Sequence, residues 1–66
     1  MQIHVNGEPK TLPDAMRLSA LLEQLGLAER RLAVEVNREL VPRSRFPEHE
    51  LKAGDQVEII HAVGGG

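Results

Sequence analysis

Leu18-Ser19-Ala20-Leu21-Leu22-Glu23-Gln24-Leu25-Gly26 is the stretch on which the reading of this chain turns. Its leucines at 18, 21, 22 and 25 stand at i, i+3, i+4 and i+7, which places them on one stripe of an α-helix. Glu23 and Gln24 face away from that stripe. Gly26 sits where a helix closes in a left-handed cap, a conformation free of Cβ clash only for glycine. Two starts fit the pattern. Asp14 can cap the helix after a turn at Pro13-Asp14-Ala15, or the helix can begin near Leu18. A helix with a single apolar stripe needs one apolar sheet face to cover.

The flanking segments supply that sheet. Gln2-Ile3-His4-Val5-Asn6 alternates polar and apolar residues with period two, the pattern of a half-buried strand. Asn6-Gly7 follows, a strong hairpin signal, and Glu8 to Leu12 is the returning strand. Pro9 has no N–H to give a ladder, so this strand belongs at an edge or at a strand beginning. After the helix, Leu32, Val34 and Val36 alternate with Ala33, Glu35 and Asn37. Asn37-Arg38-Glu39 reads as a turn, Leu40-Val41 as a short strand stopped by Pro42, and Leu51 to Asp55 as another turn. Between them, 43–50 is polar apart from Phe46, an anchor for a loop or a turn of 3₁₀ helix. Gln56 to Ala62 is the last strand. Two hairpins around a crossover helix, with the first and last strands parallel at the centre, give an α+β fold of the β-grasp (ubiquitin-like) type. The expectation is a mixed sheet of about five strands on one main helix, with Ile3, Val5, Leu18, Leu21, Leu22, Leu25, Val34, Val36, Val57 and Ile59 in one core. The domain spans 1–63, and 64–66 is a glycine tail.

Composition narrows the function. A chain of 66 residues is one small domain, and at this size only about 60% of the unfolded surface is buried. The absence of cysteine excludes disulfides and thiolate zinc sites and favours the cytoplasm. The N-terminus has no basic segment followed by an apolar run, so no signal peptide is expected, and no run approaches the length of a membrane span. Eight scattered basic residues against ten carboxylates, with one Phe and no Tyr or Trp, argue against nucleic-acid binding.

The sequence closes on Ala62-Val63-Gly64-Gly65-Gly66. A glycine thread fits a slot too narrow for any other residue, and three such residues reach about 10 Å beyond a folded body. A frayed chain end fits the same residues. The backbone beyond Val63 is expected to be mobile in the free protein. The whole length resembles the ThiS sulfur carriers of thiamin biosynthesis. The resemblance lies in Val5-Asn6-Gly7-Glu8, in the helix through Leu25-Gly26, in Ala33-Val34-Glu35-Val36-Asn37 and in Val41-Pro42-Arg43. It continues through Gly54-Asp55, Val57-Glu58-Ile59-Ile60 and the closing glycines. It implies that the Gly66 carboxylate is adenylated by an ATP-using ThiF-type adenylyltransferase. A persulfide sulfur donor then turns it into a thiocarboxylate, which a ThiG-type thiazole synthase consumes. On that reading the chain is not an enzyme, binds no cofactor and is a co-substrate of its partners. With Val57 and Ile59 pointing inward, Glu58, Ile60 and Ala62 face outward. Together with Val63, Gly64 and Gly65 they form the expected partner surface.

Other residues yield less. His4, His49 and His61 lack metal-ligand spacing. Asn6-Gly7 is not followed by the Gly-Lys-Ser/Thr of a phosphate loop. Glu8, Glu23, Glu35 and Glu58 read as separated, exposed carboxylates rather than an acid–base pair. Three alternatives stay open: a MoaD-like carrier for molybdopterin, a ubiquitin-like protein modifier, and a non-catalytic β-grasp interaction module indifferent to its terminus. The fate of the tail distinguishes them.

Overall fold

The computed structural model describes residues 1–61. Among these residues are five strands: β1 (Gln2–Val5), β2 (Glu8–Thr11), β3 (Leu32–Val36), β4 (Glu39–Val41) and β5 (Gln56–His61). One helix, α1 (Leu18–Gln24), crosses between the hairpins, and Arg43–Arg45 forms a 3₁₀ turn. The sheet order is β2-β1-β5-β3-β4. β1 and β5 are parallel at the centre, with Val5 beside Val57, and every other pairing is antiparallel. This is the β-grasp arrangement expected from the alternation of strand and helix patterns.

Both hairpins close on two residues with positive φ, Asn6 (50°) with Gly7 (83°) and Asn37 (53°) with Arg38 (70°). These are type I′ turns, whose twist matches that of the strands they join. Glu39 therefore belongs to β4 and not to the turn. The ladder bonds leave Asn6 outside β1 and Leu12 outside β2.

α1 begins at Leu18, the later of the two starts. Asp14 does not cap it; its carboxylate lies 3.2 Å from the N-terminal ammonium of Met1. The first helical N–H groups go elsewhere. Leu18 N donates to the carbonyl of His49 at 2.8 Å, and Ser19 N to that of Phe46 at 3.1 Å. Leu51 N in turn donates to the Met16 carbonyl at 2.8 Å. The polar 43–50 segment thus serves as the helix's cap through its backbone. At the other end Gly26 (φ 75°) follows the last turn, with Gly26 N bonded to Glu23 O and Leu27 N to Leu22 O. That is a Schellman closure, in which the left-handed residue satisfies the last carbonyls.

The core lies between α1 and the inner sheet face. Ile3, Leu18, Leu21, Leu22, Val34, Val36, Val57 and Ile59 are buried as the periodicity predicts. Leu12, Val41, Phe46 and Leu51 join them. Val5 and Leu25 are only half-buried, and the reason is length. A seven-residue helix is about 10 Å long, whereas six residues of β5 run about 20 Å. The end of the inner face beyond α1 stays partly open, as a 300 Å³ hollow lined by Val5, Leu25, Leu27 and Ile59 among others.

Candidate functional site

β5 leads directly to the glycine tail, so its surroundings define the candidate site. Its outgoing half is held on both sides. On one side Leu32 of β3 is registered with His61, Ala33 with Ile60 and Val34 with Ile59. On the other, β1 has already ended, and a side chain takes over its ladder. Asn6 N donates to the Val57 carbonyl at 2.8 Å, and Asn6 Oδ1 accepts the N–H of Ile59 at 2.8 Å. The incoming end is fixed in a similar way. The buried Asp55 accepts Lys52 N at 2.8 Å and Asn37 Nδ2 at 3.0 Å, while Asn37 Oδ1 accepts Gln56 N at 3.0 Å. Each hairpin asparagine thus fixes the turn and also anchors β5.

Glu58 and Ile60 stand on the outer sheet face, away from α1, as the alternation requires. Ile60 is 52% exposed. Ala62, Val63, Gly64, Gly65 and Gly66, and with them the expectation of a mobile tail, lie outside the described residues. Two features of this face were not read from the sequence. Leu40, 66% exposed, stands on it beside Glu35. Glu35 is directly opposite Glu58, so two carboxylates that are distant in sequence are cross-strand neighbours. Such pairs bring Cβ atoms to within roughly 5 Å. The signal for Leu40 was its adjacency to Val41, since one of two neighbouring strand residues must face outward.

His4 lies on the outer face, its ring nitrogen 3.3 Å from Gln56 Nε2. His61 ends β5 on the helix side, and His49 lies in the segment that caps α1. No group of three or more His, Cys, Asp or Glu among the described residues is placed to hold a metal ion. A 660 Å³ depression bounded by Asn37, Glu39, Glu48, His49 and Lys52 lies at the end of the sheet away from His61. No helix among the described residues is long and apolar enough to cross a membrane.

The fold and the outgoing β5 define the class: a β-grasp domain that presents its last strand and an open sheet face to the outside. The chain belongs to the ThiS family, whose model matches residues 3–66. It is 30% identical over 66 residues to the sulfur carrier protein ThiS of Escherichia coli K12, covering 100% of both chains. The crystal structure of the thiamine biosynthesis protein ThiS from Geobacter metallireducens superposes with a TM-score of 0.87 at 35% identity, again over 100% of each chain. A thiazole synthase of Paramagnetospirillum magneticum is 39% identical over all 66 residues, but the chain spans only 20% of that protein's length.

Proposed function

We propose that this chain is a sulfur carrier of thiamin biosynthesis, a small protein that is consumed and regenerated by its partners rather than an enzyme. One observation carries the reading: end-to-end similarity to ThiS carriers, with the glycine end included in the alignment. The match to thiazole synthases favours the thiazole route over molybdopterin.

The chemistry falls to Gly66. A carboxylate is ionised at neutral pH and is a poor electrophile. One of its oxygens attacks the α-phosphorus of ATP in a ThiF-type adenylyltransferase, and pyrophosphate leaves. A persulfide sulfur then attacks the acyl carbon and displaces AMP. A second thiol then attacks the donor's own sulfur in the resulting acyl disulfide, forming a disulfide with the donor and releasing the terminal sulfur on Gly66 as the thiocarboxylate for a ThiG-type synthase. No resident cofactor is required on this chain. Gly64 and Gly65 serve as the thread through the partner's slot, and Ala62 and Val63 link it to β5. Glu58 and Ile60 belong to the docking face, which recovers the entropy lost when the glycines are ordered.

The test pairs intact mass with ATP–pyrophosphate exchange. With ATP, the adenylyltransferase and a sulfur donor, the chain should gain one sulfur for one oxygen. A ladder of conjugates would identify a protein modifier instead. Gly65→Val, and separately one residue appended after Gly66, should abolish exchange without changing the melting temperature. Exchange at the wild-type rate in both variants would refute the carrier reading and leave the interaction module.

A further inference from the structure

Three of the six arginines, Arg30, Arg31 and Arg43, gather at the end of the sheet from which β5 runs out. Leu32 is registered with His61, and Arg31 immediately precedes β3 at that same end of the sheet. Arg43 is held against the same loop. Its Nη2 donates to the Arg30 carbonyl at 2.6 Å, and its guanidinium carbon lies 5.7 Å from the centroid of the Phe46 ring. All three residues are exposed. The ion pairs among the described residues are Met1 with Asp14 and Arg45 with Glu48, and neither engages these arginines. The sequence as a whole carries a net charge of -2, so the grouping is not a reflection of a basic protein.

Like charges gathered on a surface repel one another. One of them is also pre-organised. A guanidinium fixed by a backbone carbonyl and an aromatic ring loses little freedom when its remaining N–H donors meet a carboxylate. The tail decides which anion is in reach. Threaded straight, residues 62–66 span up to about 18 Å, more than an arginine side chain can bridge. The arginines therefore meet the rim around the slot and not the reacting group at Gly66.

We propose that Arg30, Arg31 and Arg43 form a basic collar at the His61 end of the sheet that docks on carboxylates at the mouth of the thiazole synthase. The inference rests on the carrier reading above. The synthase is the chosen partner because thiazole synthases carry a stretch matching this whole chain on their own polypeptide, which places such a fold beside that enzyme.

The experiment measures association of the full chain with the synthase of its own organism, at low and at high salt. Arg30→Glu/Arg31→Glu should keep the wild-type melting temperature. Its association rate should fall about tenfold or more at low salt, with the difference shrinking as salt screens the charges. Arg43→Lys should keep the salt dependence but dissociate several-fold faster, since an ammonium lacks the planar fork. A merely structural Arg43 would lower the melting temperature and leave dissociation unchanged, which overturns its part in the collar. Wild-type association and salt dependence in the double variant overturn the collar and leave the carrier reading intact. Loss confined to the adenylyltransferase overturns the choice of synthase. No association of the wild type with the synthase overturns both readings.

Discussion

Replacing Asn6 separates the two tasks that its side chain performs. It holds a left-handed backbone conformation in the first hairpin, and its Oδ1 accepts the N–H of Ile59 at 2.8 Å. Asn6→Gly keeps the backbone and removes the acceptor. A partly buried amide left without a partner costs about 1–2 kcal/mol. Asn6→Ala loses the acceptor and also the short polar side chain that lets asparagine tolerate the left-handed region, a further 1–2 kcal/mol or so. Asn6→Asp keeps an acceptor oxygen in place and should be nearly neutral. The expected order of stability is therefore wild type and Asp, then Gly, then Ala, with the alanine variant about 2–4 kcal/mol down. For a small domain that is a large share of the total. Urea unfolding at constant m-value gives the energies, and amide exchange locates them. In Asn6→Gly, Ile59 should lose protection first, together with the last residues of β5. Equal stability of wild type and Asn6→Gly, with Ile59 still protected, would show that β5 is not held by this side chain.

Two further outcomes test the hairpin and the outer face. Arg38 occupies the second position of a type I′ turn at φ 70°, where glycine is unstrained. Arg38→Gly should therefore raise stability by about 0.5–1 kcal/mol, the relief of strain less the entropy of glycine, as a higher melting temperature with unchanged carrier activity. Ile60→Asp should cost the fold about 1 kcal/mol or less, because the residue is half-exposed and pairs only with Ala33 on its face. It should weaken binding to the adenylyltransferase at least tenfold in a titration, since the new charge must be desolvated without a partner. Unchanged affinity would place docking on another face.

Periodicity made the architecture legible. Strand alternation and the leucine stripe identify which side of each element faces the core, and Gly26 marks the helix end. Leu12 and Leu51 escaped because they lie just outside the strands or in irregular segments, where no repeat announces burial, while Phe46 was legible as an anchor of its 3₁₀ turn but not as part of the main core. What buries Phe46 and Leu51 is the alignment of 46–51 along the start of α1, a contact between distant parts of the chain. The same contact hid the helix start, since its N–H groups are satisfied by distant carbonyls and no capping side chain is needed. The outer face depended on register. Treating Asn37-Arg38-Glu39 as the turn left β4 unregistered, whereas a two-residue turn fixes Leu40 beside Glu35 and Glu35 beside Glu58.

That outer face contrasts with the inner one. Inside, the sheet residues are chosen for burial under α1, and the asparagines lock the central strand. Outside, the fold gains little from its side chains. Two carboxylates oppose each other across β3 and β5, an arrangement that cross-strand pairing penalises, with Leu40 and Ile60 exposed nearby. A helix on one face alone leaves the other free for a partner. The strand that bears Glu58 and Ile60 is also the one that leads to the glycines. Any protein that grips this face therefore fixes the point from which the tail starts. On the proposed carrier reading, the anchoring of β5 by Asn6 and by Leu32 then matters beyond stability, because a frayed end of β5 would uncouple the proposed docking face from the strand that leads to the tail.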